Sequence, residues 1–307
     1  MALSAACVME TNLPYPGRRQ GKVRDIYDVT LADGTEAVLI VATDRISAFD
    51  VVMANGIPGK GALLTQISRF WFERFSQMLP HHLISTDPAD LPDLEQADRD
   101  ALRGRIMIGR RCRVLPVECI VRGYLAGSGW KDYQRTGGIC GIELPTGLVN
   151  GSRLDHPIFT PSTKAAHGHD ENISYQQAAD IIGPTMIKKL RDLSLRIYSE
   201  ARDYAAERGI LIADTKFEFG VPLETSAEEP ILIDEVLTPD SSRFWPADEY
   251  REGQEQPSLD KQYVRNYLET LVAAGQWDKT PPGPTLPDEI IENTLTRYRR
   301  AYEALTT

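Results

Sequence analysis

The chain lacks any apolar run approaching the roughly 18 residues that a membrane-spanning helix needs. Its first ten residues also lack the charged start and long apolar stretch of a secretory signal. Positive charge is in deficit: 34 Lys and Arg against 44 Asp and Glu give a net charge of −10. That balance argues against nucleic acid or an anionic membrane as a partner. It does not exclude a small anionic ligand, which needs only a local basic pocket. The few cysteines, Cys7, Cys112, Cys119 and Cys140, form no Cys-x-x-Cys pair. They read as reduced thiols, not zinc ligands or disulfides, and make the cytoplasm the expected location. No internal repeat is present. What remains is an ordinary globular composition, 42% hydrophobic and 25% charged over 307 residues. That length suffices for one large or two moderate domains.

The densest chemistry lies in residues 209–245. Two short apolar runs, Ile210-Leu211-Ile212-Ala213 and Ile231-Leu232-Ile233, each deliver acidic residues at their ends. The polar gap between them contains prolines, so the pattern predicts two paired strands and a loop. Alternation along the first strand puts Asp214, Lys216 and Glu218 on one face and Phe217 and Phe219 on the other. A cation between two carboxylates, with Asp234 added by the next strand, suits Mg²⁺ and phosphate oxygens. The same residues also suit a solvent-facing salt-bridge ladder.

The first third reads as β-rich. Residues 21–29 alternate, Asp33-Gly34 turns, and residues 37–42 form a buried strand, which predicts a hairpin. Gly21 permits close backbone approach, and Lys22 and Arg24 fall on one strand face. That face suits nucleotide phosphates or, equally, a solvated edge strand. Thr43-Asp44-Arg45-Ile46-Ser47-Ala48-Phe49-Asp50 packs two carboxylates, an arginine and a serine into eight residues. An Asp-capped turn explains it as well as a site does. Residues 63–79 predict an amphipathic helix whose aromatic stripe is core. Leu115-Pro116 marks a bend, and the domain boundary is set there: residues 1–115 and residues 116–307.

Arg122-Gly123-Tyr124-Leu125-Ala126-Gly127-Ser128-Gly129 offers backbone amides, a hydroxyl and a forked cation, fit for a phosphate or for a plain loop before a helix. His167-Gly168-His169-Asp170-Glu171 has a metal-like look but too few ligands nearby for zinc, so a polar loop is expected. Ser174 and Gln177 make a capping box that opens a helical region to Arg208, broken at Gly183-Pro184. Two more helices are expected near 260–274 and 288–304.

Taken together, six segments carry a resemblance. They are Gly21-Lys22-Val23-Arg24-Asp25, Thr43 to Asp50, Pro116-Val117-Glu118-Cys119-Ile120-Val121-Arg122-Gly123-Tyr124, Gly168 to Ser174, Asp214 to Gly220, and Asp234-Glu235 through Asp240-Ser241-Ser242-Arg243. In this order they resemble the SAICAR synthetase family, the phosphoribosylaminoimidazole-succinocarboxamide synthases, over residues 17 to 250. The resemblance implies an α+β, two-lobed fold, with a small β-rich kinase-like ATP-binding lobe and a larger α+β lobe with C-terminal helices.

The resemblance also implies an activity. ATP drives the joining of L-aspartate to the carboxylate of CAIR (5-amino-1-(5-phosphoribosyl)imidazole-4-carboxylate) in purine biosynthesis, giving SAICAR, ADP and phosphate. By the same resemblance Lys216 and Asp214 are catalytic, with Asp214 holding Lys216. Gly21, Lys22, Arg24 and Glu218 bind ATP. Ser47, Arg122, Ser128, Arg243 and Asp240 bind substrate, and Asp234 and Glu218 hold Mg²⁺. The expected partners are ATP, CAIR and L-aspartate, with no nucleic acid and no membrane, in a monomer or small homo-oligomer. Two rivals use the same parts: a kinase-like small-molecule phosphotransferase and a nonenzymatic nucleotide-binding regulator. Against the first, the chain has no His-Arg-Asp catalytic loop and no Asp-Phe-Gly.

Overall fold

A computed structural model describes residues 7–164 and 171–307. The described chain mixes seven α-helices with antiparallel sheets. It divides into two compact units.

The first unit takes the chain up to Arg74, then His82–Arg111 and Leu259–Thr306. Its sheet has five strands in the order Arg19–Gln20, Arg24–Thr30, Glu36–Ala42, Ile106–Arg110 and Leu83–Ser85. The expected hairpin forms through Arg24–Thr30 and Glu36–Ala42, closed by Gly34 at φ 86°. Every second residue of these strands turns inward, and Tyr27, Val29, Leu39 and Val41 make the core with Ile106 and Ile108. The helix Lys60–Phe75 buries Ile67, Trp71 and Phe72 completely, so the aromatic stripe is packing.

The two C-terminal helices, Gln262–Ala273 and Asp288–Thr306, correct the expected division. They were assigned with residues 116–307, yet they belong to the first unit. The cause is apolar: Val264, Leu268 and Leu286 close over Ile46, Ala48 and Met53. Helical periodicity shows that these helices have an apolar face, but not which surface it covers.

The second unit comprises Phe75–His81 and Cys112–Ser258. Its centre is the 13-residue strand Ile210–Pro222. This strand pairs with Val117–Tyr124, Ile231–Ile233, Ser242–Pro246 and Cys112–Val114 in a seven-stranded sheet. The helices Tyr175–Ile182 and Pro184–Ala206 are split by Gly183 as the sequence predicts, and Ser174 and Gln177 form the reciprocal capping box. Tyr198, fully buried, donates its hydroxyl to the Ile212 carbonyl at 2.6 Å and pins the long helix to the sheet.

Candidate active site

The strand Ile210–Pro222 supplies the centre of the site. Phe217 and Phe219 point into the core and are fully buried, which leaves Asp214, Lys216 and Glu218 on the other face. Strand register then sets the neighbours. Arg122 lies opposite Asp214 on one side, and Arg243 lies opposite it on the other. Two arginines therefore converge on one carboxylate. Arg122 Nη1 donates to Asp214 Oδ2 at 2.9 Å, and Arg243 Nη1 donates to Oδ1 at 2.8 Å and Oδ2 at 2.6 Å.

The two arginines differ in access. Arg122 is 1% exposed, and its other nitrogens donate to Thr160 Oγ1 and Ser128 Oγ, each at 3.0 Å. Burial pulls its guanidinium below the ordinary arginine value, while Asp214 opposes that shift. The Arg243 side chain keeps 21% exposure, so of the two it is the one able to meet a ligand directly. Ser128 lies in the first turn of the helix Gly127–Thr136, whose N-cap Ala126 gives no side-chain cap. The glycine-dense stretch is thus a helix start, whose amides and positive dipole end suit an anion.

Lys216 has different company from that expected. Asp214 is engaged by the two arginines, and the Lys216 ammonium meets Glu118 Oε1 at 2.5 Å and Glu218 Oε1 at 3.9 Å. Lys164 pairs with the other oxygen of Glu218. Asp234 follows the strand Ile231–Ile233, and its neighbour Ile233 lies opposite Glu218. Its backbone stands at φ 65°, a left-handed conformation that a side chain resists. Asp240 lies in a turn where its amide donates to Thr238 Oγ1 at 3.2 Å.

The remaining expected residues lie in the first unit. Gly21 donates to the Arg24 carbonyl at 2.8 Å in a tight turn. The strand begins at Arg24, so Lys22 precedes it and the two do not share a strand face. The buried Arg45 fixes this turn, donating to the carbonyls of Gly21 and Lys22 at 3.1 Å each and to Asp25 Oδ1 at 2.8 Å. Asp44 is likewise structural: fully buried, it is bound by Arg105 at 3.0 Å and by the Gly61 amide at 3.0 Å.

Ser47 sits in the two-residue strand Ser47–Ala48, which pairs with Val51–Val52. The connecting Phe49 and Asp50 both have positive φ, 53° and 61°, in a turn that usually needs glycine or asparagine. The Phe49 ring is braced 6.2 Å from Trp277 and 4.4 Å from the Lys279 ammonium, and Asp50 pairs with Lys22. His167, His169 and Asp170 lie outside the described residues.

An arginine pair at an uncapped helix start, beside a lysine flanked by glutamates, is an arrangement suited to an anionic small molecule. The family model described as SAICAR synthetase matches residues 18–282. The chain is 55% identical over 288 residues to the phosphoribosylaminoimidazole-succinocarboxamide synthase of Geotalea uraniireducens (strain Rf4), covering 94% of this chain and 93% of that one. It is 53% identical over 306 residues to the synthase of that name from Geobacter sulfurreducens (strain ATCC 51573 / DSM 12127 / PCA), covering 98% of each. Among solved structures it resembles the SAICAR synthase from Saccharomyces cerevisiae complexed with SAICAR, with TM-score 0.83 and 42% identity, over 98% of this chain and 97% of that one. The chain belongs to the SAICAR synthetase family.

Proposed function

We propose that the protein ligates L-aspartate to the carboxylate of CAIR at the expense of ATP, giving SAICAR, ADP and phosphate. Family membership over nearly the whole chain carries this reading. The chemistry accounts for the residue types. A carboxylate is a poor acyl donor because its leaving group would be oxide. Transfer of the ATP γ-phosphoryl group makes it an acyl phosphate, and the aspartate amine then displaces phosphate. Negative charge accumulates in both steps, so fixed cations are needed where it develops.

In this reading Arg243, Ser128 and the first turn of Gly127–Thr136 receive the CAIR phosphate, and the buried Arg122, expected to bind it, acts through Ser128 and Asp214. Asp214 holds the two arginines in register. Lys216 neutralises the reacting carboxylate and phosphoryl group. Ser47 and Asp240 face the substrates, while Gly21, Lys22 and Arg24 cover the ATP phosphates. We read the first unit as a kinase-like nucleotide-binding lobe, supported by its five-stranded antiparallel sheet with the Gly21–Arg24 turn at the head of a hairpin. The four cysteines are free thiols, in keeping with a cytoplasmic enzyme. No helix of the described residues is long and apolar enough to cross a membrane.

Magnesium fits the donor set in one specific way. Among the described residues no three His, Cys, Asp or Glu side chains gather into a cage for a metal. Mg²⁺ does not need one beside a nucleotide. It takes one or two carboxylates and fills its other positions with phosphate oxygens and water. Asp234 would hold it, with Glu218 on the paired strand as second ligand. When bound, the ion neutralises phosphate charge.

The decisive measurement is ADP release with CAIR and aspartate each omitted in turn. The ligase releases ADP only when both are present. ADP release with a single acceptor and no aspartate is the signature of the rival phosphotransferase.

The phosphate seat gives a second test. Gly127 has φ 55°, and a Cβ there would lie 2.1 Å from Arg243 Nη2. Gly127→Ala must therefore push the Arg243 guanidinium aside and adds about 1–2 kcal/mol of backbone strain. The expected result is a raised KM for CAIR with the KM for ATP little altered. An unchanged CAIR KM removes Arg243 from the substrate.

A further inference from the structure

We infer that Glu118 is a positioning residue for Lys216, holding the lysine ammonium where the reacting groups develop charge. The inference rests on the ligase reading above and adds to it a residue with no assigned role.

Glu118 is one of two buried charged residues on its strand, with Arg122. Val117, Cys119 and Val121 beside it are buried apolar residues, and Glu118 itself is only 4% exposed. A carboxylate is placed there only if both oxygens find partners. They do. Oε1 accepts from the Lys216 ammonium at 2.5 Å, and Oε2 accepts from the buried Ser162 hydroxyl at 3.3 Å. Ser162 lies opposite Glu118 on the short strand Ser162–Thr163, so the second partner is set by register.

The register with the long strand explains the rest. Lys216 lies opposite Ile120 and Phe217 opposite Cys119. Glu118 and Glu218 both flank the Lys216 ammonium, at 2.5 and 3.9 Å, two like charges on adjacent strands sharing one cation. Lys216 is the diagonal neighbour of Glu118 and lies between the two carboxylates. Its side chain keeps 35% exposure, whereas that of Glu118 has 5%. The lysine is therefore held from the protein interior by Glu118 while its side chain stays partly exposed. A lysine stem has many rotamers, and a partner fixed on a central strand removes that freedom before substrate arrives. Glu118 lies too deep to meet substrate and acts through Lys216.

A competing role is purely structural: Lys216 neutralises two flanking glutamates, and the trio serves only stability. The two roles separate in a double-mutant cycle of Glu118→Gln, Lys216→Met and the pair. The readouts are kcat, the KM for ATP, and thermal unfolding in the presence of saturating substrates. If Glu118 positions Lys216, Glu118→Gln lowers kcat by roughly 10- to 100-fold, the scale of an ångström-sized misplacement. The ATP KM stays near that of the wild type. In the Lys216→Met background the same change costs nothing further, because the group it positions is gone. A folded Glu118→Gln enzyme with wild-type kcat overturns the inference. So does an equal loss of kcat in both backgrounds.

Should Glu118→Gln fail to fold, Glu118→Asp keeps the buried charge and draws it back by one methylene. Reduced kcat is then expected, and wild-type kcat in that variant overturns the inference. The wild-type control separates the two levels. No ADP release with CAIR and aspartate sinks the ligase reading itself, whereas an active wild type with an indifferent Glu118 sinks only the positioning role.

Discussion

Replacing Asp234 by asparagine is expected to remove turnover and leave the fold intact. The fold argument is local. Asp234 stands at φ 65°, and asparagine tolerates the left-handed region at least as well as aspartate does. The preceding Ile231, Leu232 and Ile233 are buried and unaffected by the change, so the unfolding temperature stays close to that of the wild type. The chemical argument concerns charge. A neutral amide is a far weaker ligand for Mg²⁺ than a carboxylate. Loss of a preorganised charge at a phosphoryl-transfer centre costs on the order of 10³-fold in kcat. The check is an activity titration against Mg²⁺ on a variant shown to be folded. Near-normal kcat at ordinary Mg²⁺ removes Asp234 from the metal.

The sequence was most legible where chemistry is local. The Asp33-Gly34 hairpin, the Ser174–Gln177 capping box and the break at Gly183-Pro184 each depend on a few adjacent residues, and each forms as read. The alternation that sets Lys216 and Glu218 apart from Phe217 and Phe219 is equally local. Contacts fixed by register or by packing over long separations were not legible. Asp214 was expected to hold Lys216, since both lie on one strand face. Cross-strand register instead gives Asp214 to Arg122 and Arg243, and gives Lys216 to Glu118. Spacing within one strand carries no information about its neighbours' register.

The C-terminal helices were misplaced for a related reason. Their apolar faces are evident, but Val264 and Leu268 meet Met53 and Ile57 across more than half the chain. Glu118 did leave a signal. A charged residue inside Val117-Glu118-Cys119-Ile120-Val121 reads as a carboxylate on a buried strand, and such a group needs a cation. Thr160 left none, because a threonine beside a strand end is unremarkable until Arg122 is seen to donate to it.

The second large effect is expected at Lys216. Its ammonium is bounded by Glu118 and Glu218. Lys216→Met keeps a stem of similar reach and deletes the charge. The two carboxylates then share no cation from this strand, so some stability is lost, and Lys164 still pairs with Glu218 to limit the loss. Catalysis should suffer more. The proposed task of Lys216 is to neutralise charge that peaks as the phosphoryl group moves to the CAIR carboxylate. An interaction made chiefly in the transition state appears in kcat rather than in KM. The expected loss in kcat is about 10²-fold or more, the scale for a preorganised electrostatic group. ATP should bind nearly as before, since Gly21, Lys22 and Arg24 are untouched. Binding of a labelled ATP analogue, measured beside kcat at saturating substrates, decides the matter. Abolished nucleotide binding with unchanged kcat at saturation would make Lys216 a nucleotide anchor, and the cation at the reacting carboxylate would have to be sought in Lys164, the other lysine that meets Glu218.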